Sequence, residues 1–478
     1  LPITQVGGLP LPLAIPCVIL LNAYLAVFTA LTCLAMRRAL IFFSSGSSEK
    51  PGQRPSFVPA LAGGAAWAGF EVLGGLLFTG FPWLVLSAAF VPWPEWIQAA
   101  CLTGGYGLSG LYAAGACLLA AAFPLRGRSL FLAGGVLLCL APPLYGAVRL
   151  KNLPPTALSR PFGVLMVQGN IDQNQKWIPA FQQAAVRTYM NLTEQGLSRA
   201  GREGFEAIDL VLWPETAMPF YFQPSGADVL SDVLRRFVLR RGIHLAFGTL
   251  GSGISDGGGP VLFNRVQFLS PAGLNLGTYD KEHLVPFGEY LPLAADFQFL
   301  RRILQGMDFS PGRNAALVTL FPDGVRPLPG AADATPASNG VALGMLICYE
   351  VIFPELARQR VADGAHVLVT VSNDAWFGAT PAPRQHLHLA AMRAVELRRP
   401  LVRATNTGYT AVVDAFGRID KESRLFTETA VAAWVRPSGE ITLFYLLHPF
   451  LRIFLAAAAL LLLFLPRFRP GGRIFTHL

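Results

Sequence analysis

From Leu1 to Met36 the chain carries no charged side chain. About 20 helical residues of that character cross a hydrocarbon core, where only helices and closed barrels satisfy their backbone polar groups. A transmembrane helix over about 11–36 is the reading that follows. Uncharged or nearly uncharged segments recur at about 58–82, 99–123 and 129–148, and "FLAAAALLLLFLP" adds a fifth near the C-terminus. Arg452 lies just inside that last segment, where its long side chain can snorkel to the interface. Glu71 stands inside the second segment, in a place that suits either helix pairing or substrate contact.

The cations set the orientation. Arg37, Arg38, Lys50 and Arg54 follow the first span, Arg126 and Arg128 join the third to the fourth, and Arg467, Arg469 and Arg473 follow the fifth. Against the single acid Glu49, these nine cations account for nearly all of the formal charge of +9. The positive-inside rule places these three segments in the cytoplasm, and so places residues 151–440 outside it. Nucleic-acid binding is disfavoured, because the basic charge is accounted for by membrane orientation. The N-terminus falls outside, begins with Leu1 and shows no basic n-region, so further helices are expected upstream, odd in number if the full chain begins in the cytoplasm.

The organisation expected is thus a four-helix transmembrane region at 1–150, an extracytoplasmic domain at 151–440, and a C-terminal helix with a basic tail at 441–478. In the middle segment short apolar runs alternate with amphipathic stretches. "GVLMVQGNI", "AIDLVLWPE", "HLAFGTLG", "NRVQFLSPAG", "NGVALGMLICYE" and "HVLVTVSND" read as strands; "KWIPAFQQAAVRTYMNLTEQGL", "VLSDVLRRFVLRRG", "PELARQRVADGA" and "PRQHLHLAAMRAVELRRP" read as helices. That alternation predicts a layered α/β domain. The glycine-rich "SGISDGGGP" lacks the Lys-Ser/Thr of a phosphate loop and is read as a plain loop.

Five of the six cysteines lie in apolar membrane segments, where a thiol behaves as a small hydrophobe. Cys348 alone sits in the polar half, with no second cysteine to pair with. It ends an apolar strand, as do Glu215 in "LVLWPETAMP" and Lys281 in "GTYDKEHLVPFGEYLP". Taken singly, such a glutamate or lysine is more often a solvated turn residue. Together they make an acyl-transfer set: a thiol, a carboxylate able to take its proton, and an ammonium able to stabilise an oxyanion. Strand exits are also where ligand sites form in α/β sheets.

The order Glu…Lys…Cys with "WPE", "YDKEHLVPFGEYLP", "CYEVIFPE" and "SNDAWFG" resembles the nitrilase (carbon–nitrogen hydrolase) superfamily. The flanking apolar helices, "GGLPLPLAIP", "TGFPW" and "VQGNIDQNQKW" narrow the resemblance to the apolipoprotein N-acyltransferase family, across essentially the whole chain. That family normally has eight spans, so the resemblance implies that three precede the five seen here. It implies an αββα sandwich with the site at one end, facing the outer membrane surface. It also implies Glu215 as general base, Lys281 as oxyanion stabiliser and Cys348 as nucleophile. The implied reaction moves the sn-1 acyl chain of a phospholipid, most naturally phosphatidylethanolamine, onto Cys348. The chain then passes to the N-terminal amine of a diacylglyceryl-modified apolipoprotein. No cofactor is implied, and a monomer in the bacterial inner membrane is expected.

Other residues follow from the same resemblance. Glu289 matches a family glutamate near the lysine, where it either holds Lys281 or orders the loop through an ion pair. The Tyr349 backbone N–H is a candidate oxyanion donor, Glu350 orients its neighbours, and Asn373 braces the site. Trp177, Trp376 and Phe377 line an acyl-chain or lid surface or else serve as packing. "LVPFGEYLP" is a candidate lid. Tyr409 stands where the family leads one to expect a smaller aliphatic residue. His386 and His388 diverge by about 200° on a helix, so no shared metal is expected. The rival readings are a membrane-tethered amidase, a non-catalytic lipoprotein-binding fragment, and a papain-like pairing of Cys348 with His366.

Overall fold

A computed structural model of the chain describes Thr4 and residues 10–44, 56–122, 128–152, 161–223, 225–226, 228–255, 258–290, 308–313, 317–320 and 340–465. The chain divides into two compact units, one of residues 15–153 and 442–478, the other of residues 1–14 and 154–441. Lys50, Arg54, Arg126, Arg467, Arg469 and Arg473, on which much of the orientation reading rests, lie outside the described residues.

The first unit is helical. Among the described residues three helices are long and apolar enough to cross a membrane: Ala14–Phe43, Ser129–Lys151 and Leu443–Leu463. Two further helices fall on the other segments expected to span. The helix Val58–Gly74 is shorter than the 58–82 read from the sequence. It gives way to a 3-10 turn at Leu77–Thr79, where Phe78 and Thr79 turn left-handed at φ 52° and 75°. At about 1.5 Å per residue its 17 residues reach only about 25 Å. The helix Ala100–Ala121 matches the third segment, but its path breaks at Gly104. These two helices approach backbone to backbone: a Cβ on Gly64 would lie 2.4 Å from the carbonyl oxygen of Gly110. Small residues permit that closeness where apolar lipid supplies no hydrophobic drive to association. Glu71 accepts hydrogen bonds from Trp67 Nε1 and the Leu86 amide, both at 2.8 Å, so within this unit it braces a helix against the chain that follows.

The second unit is built from thirteen described strands. They are β1 Phe162–Gln168, β2 Leu210–Leu212, β3 Met218–Tyr221, β4 Leu245–Ile254, β5 Pro260–Leu269, β6 Asn275–Asp280, β7 Leu317–Leu320, β8 Val341–Ile347, β9 Val367–Ser372, β10 Leu401–Thr405, β11 Ala411–Val413, β12 Ile419–Glu422 and β13 Thr429–Val435. One sheet runs β13-β1-β2-β4-β5-β6, with β3 beside β4; the other runs β12-β11-β10-β9-β8-β7.

The two-residue alternation of β1 shows how the layers form. Phe162, Val164 and Met166 point into a core shared with Met345 and Ile347 of β8 and Val369 and Val371 of β9. Leu165 and Val167 point the other way, onto Val186 and Tyr189 of the helix Pro179–Arg202 and Phe237 and Val238 of the helix Val229–Arg241. The helices Pro354–Ala362 and Ala382–Leu397 cover the second sheet, giving the αββα layering that the sequence led one to expect. Each large aliphatic or aromatic side chain so buried contributes about 1.5–3 kcal/mol.

Strand direction decides where the site falls. β1, β2 and β4 run parallel, and β6 shares that direction because two antiparallel steps separate it from β4. In the other sheet β8, β9 and β10 run parallel. Glu215 follows β2, Lys281 follows β6, Cys348 follows β8 and Asn373 follows β9. All four therefore sit at carboxyl ends of strands, where exit turns form ligand sites.

Candidate active site

Cys348 begins a 3-10 turn, Cys348–Ile352, directly after β8. Its φ of 52° is left-handed, a conformation that costs a non-glycine residue about 1–3 kcal/mol and that surrounding contacts must hold. The thiol is half-buried and packs at the edge of the inter-sheet core. Burial and then the nearby Glu215 carboxylate push the thiol well above its usual range, against the opposing pull of Lys281. At rest it is protonated, and attack requires a base.

Lys281 is buried between carboxylates. Its Nζ donates to Glu289 Oε1 at 2.8 Å and lies 3.8 Å from Glu215 Oε1. Burial alone would depress the ammonium, but Glu289, Glu215 and Cys348 together raise it, so it stays charged. Glu289 makes a contact on each side: Oε1 accepts from Lys281, and Oε2 accepts from the Val285 amide at 2.8 Å within the loop. That loop is part of the candidate lid; Leu291 and Pro292, its last two residues, lie outside the described residues. Within it Phe287 is left-handed at φ 62° and largely exposed.

Asn264, on β5, was not singled out from the sequence. Its amide nitrogen donates to Glu215 Oε1 at 2.7 Å and to Glu289 Oε1 at 3.0 Å, spacing the two carboxylates around the lysine. Lys176 was also missed. This buried residue closes the helical turn Gln173–Lys176, and its Nζ donates to the Glu215 carbonyl at 3.2 Å and to Thr216 Oγ1. Burial lowers its pKa to about 7, partly offset by the Glu215 carboxylate. The only sequence signal for either was a polar residue in an apolar or amphipathic run.

Glu350 is fully buried. Oε1 accepts from the amides of Glu282 at 2.7 Å and His283 at 3.0 Å, and Oε2 accepts from the Ile347 amide at 2.6 Å. The Tyr279 hydroxyl lies 2.8 Å from Oε1 and accepts in turn from Arg360 Nη2 at 2.9 Å. One carboxylate thus ties the exit of β6, which carries Lys281, to the exit of β8, which carries Cys348.

The remaining candidates stand further out. Asn373 donates to Gln173 Oε1 at 2.6 Å and accepts from Asn406, bracing the turn that ends at Lys176. Trp177 lies beside the Lys176 ammonium, 5.8 Å from ring centre to nitrogen. Tyr349 packs edge-on against Phe353 at 5.1 Å and beside His283. Trp376 is part-exposed on the 3-10 turn Asp374–Phe377, and Phe377 meets the His386 ring edge-on at 5.9 Å. Tyr409 lies under the Arg384 guanidinium, 3.8 Å from ring centre to Cζ, in the space a smaller aliphatic would leave open. The papain-like pairing fails on geometry. His366 accepts from the Ala342 amide at the start of β8, six residues and about 20 Å of strand from Cys348.

Residues 166–439 match the family model described as carbon–nitrogen hydrolase, and residues 2–118 match the one described as apolipoprotein N-acyltransferase N-terminal domain. The two-sheet unit is that of a carbon–nitrogen hydrolase-type domain. Among solved structures, an amidase from Nesterenkonia sp. is 19% identical, covering 60% of this chain and 93% of that one, with a TM-score of 0.39. Nit3 of Saccharomyces cerevisiae, a nitrilase superfamily member, is 19% identical, covering 58% and 90%, with a TM-score of 0.41. The Geobacter metallireducens apolipoprotein N-acyltransferase is 35% identical over 459 residues, covering 93% of this chain and 78% of that protein. The Pseudomonas syringae pv. tomato protein of the same name is 33% identical, covering 91% and 78%. This chain belongs to the apolipoprotein N-acyltransferase family.

Proposed function

We propose that this membrane protein transfers an acyl chain from a phospholipid, through a thioester on Cys348, to the N-terminal amine of a diacylglyceryl-modified apolipoprotein. The observation that carries the reading is the meeting of Cys348, Lys281 and Glu215 at three strand exits, with a charged, buried lysine beside both carboxylates.

In the first half-reaction Glu215 takes the thiol proton and the Cys348 sulfur attacks the sn-1 ester carbonyl. The oxyanion so formed is stabilised by the Lys281 ammonium and the Tyr349 backbone N–H. Collapse breaks the ester C–O bond, and the lysophospholipid alkoxide leaves with the proton from Glu215. In the second, the lipoprotein amine attacks the thioester, Glu215 accepts the amine proton, and the sulfur departs and is reprotonated. Phosphatidylethanolamine is the donor we favour. The site lies on the periplasmic side of the inner membrane, Trp177 and Trp376 border the acyl chain, and the protein acts as a monomer.

Incubation of the membrane-embedded protein with labelled phospholipid is expected to yield a hydroxylamine-sensitive adduct on Cys348 and free lysophospholipid. Cys348→Ser is expected to yield no such thioester. Absence of the adduct in the parent protein would sink the mechanism. Discharge by water as fast as by a lipopeptide amine would make the protein a hydrolase.

A further inference from the structure

A second polar cluster lies behind the nucleophile, and the mechanism above does not use it. His386, fully buried in the helix Ala382–Leu397, places Nε2 3.1 Å from the carbonyl oxygen of Cys348. A carbonyl only accepts, so Nε2 carries the proton. On the other side of the ring, Nδ1 lies 3.1 Å from both Asp374 Oδ1 and Arg403 Nη2. Arg403 Nη2 also donates to Asp374 Oδ2 at 2.8 Å, and the Ser372 hydroxyl donates to Asp374 Oδ1 at 2.8 Å. Asp374 is thereby held by two donors, and the imidazole, with its proton on Nε2, accepts from Arg403 at Nδ1.

Nε2 meets the backbone of Cys348 rather than its sulfur, so His386 is no base for the thiol. The same backbone is left-handed at φ 52° and needs an external hold. We infer that His386, anchored by Arg403 and through it by Asp374, is a positioning residue that pins the Cys348 carbonyl and keeps the thiol beside Lys281 and Glu215. The inference rests on the reading of Cys348 as the nucleophile.

Two amide side chains separate this role from packing. The amide of glutamine reaches where Nε2 stands, whereas that of asparagine reaches only as far as Nδ1. The full-length parent, His386→Gln, His386→Asn and His386→Ala, all in membranes, are compared by single-turnover labelling of Cys348 from labelled phospholipid. Iodoacetamide alkylation of the Cys348 peptide, read by mass spectrometry, and the thermal midpoint complete the set. Small displacements of a reacting group cost up to about a hundredfold in rate. His386→Asn and His386→Ala are therefore expected to fall about tenfold or more in labelling and alkylation, and His386→Gln to recover most of both. Equal rates for Gln and Asn, or rate losses that only track the midpoint, would overturn the inference. Should the parent take no label, the acyl-transfer reading fails by itself, and the order of alkylation rates still decides the role of His386.

Discussion

At the scale of single residues, the site is an exercise in burying like charges around one cation. Glu215 and Glu289 both approach Lys281, and Asn264 supplies one hydrogen bond to each. Removing one partner of a buried ion pair costs about 3–5 kcal/mol, because the partner left behind is an uncompensated charge. Lys281→Met is therefore expected to lower the thermal midpoint markedly as well as abolish acylation. Adding Glu289→Gln should restore part of the midpoint but none of the activity. A double-mutant cycle measures that coupling. Lys176 gives a test in pH. Its pKa falls from 10.5 to about 7 on folding, so between those values the unfolded chain holds a proton that the folded chain has shed. Stability then rises with pH across that window. The midpoint of the parent should gain on that of Lys176→Met between pH 7 and 9; a constant difference would contradict the shift.

At the scale of elements, each catalytic candidate depends on the strand beneath it. Gly248 of β4 lies under the turn that carries Glu215: an added Cβ would fall 2.2 Å from the Thr216 amide nitrogen and 2.5 Å from the Pro214 carbonyl oxygen. Backbone cannot yield as a side-chain tip can, so Gly248→Ala is expected to displace Glu215. Labelling of Cys348 should fall by about tenfold or more, with the membrane helices unaffected by circular dichroism. Elements with local signals were legible in the sequence. The helix Val229–Arg241 is capped by Asp228, which accepts from the Ser231 amide, and is stopped by Gly242 at φ 60°; both residues can be read off the chain. Glu215, Lys281 and Cys348 stand out in the sequence because each follows an apolar run. Asn264 was not, since its partners come from the β2 exit and the loop after β6. His386 was visible but read only as half of a histidine pair; its partners Asp374 and Arg403 stand on two other elements. The second membrane segment was read too long because its apolar composition continues past Gly74, where the backbone has already left the helix.

At the scale of the whole molecule, one pairing joins far parts of the chain. β13 lies antiparallel to β1 from Phe162↔Val435 to Gln168↔Thr429, and no local pattern announces it. β1 is thus the first strand of its sheet to be made and the last to be completed. While residues 169–428 are being synthesised, one edge of β1 stands open, the kind of edge that invites wrong partners. Long-range pairing of this sort is slow to form. Because β13 precedes the apolar helix Leu443–Leu463 by only a short connection, the sheet closes only as that helix is about to be made. Translation order thus couples the two: a chain cut short before Val435 lacks both the closed sheet and the apolar helix Leu443–Leu463.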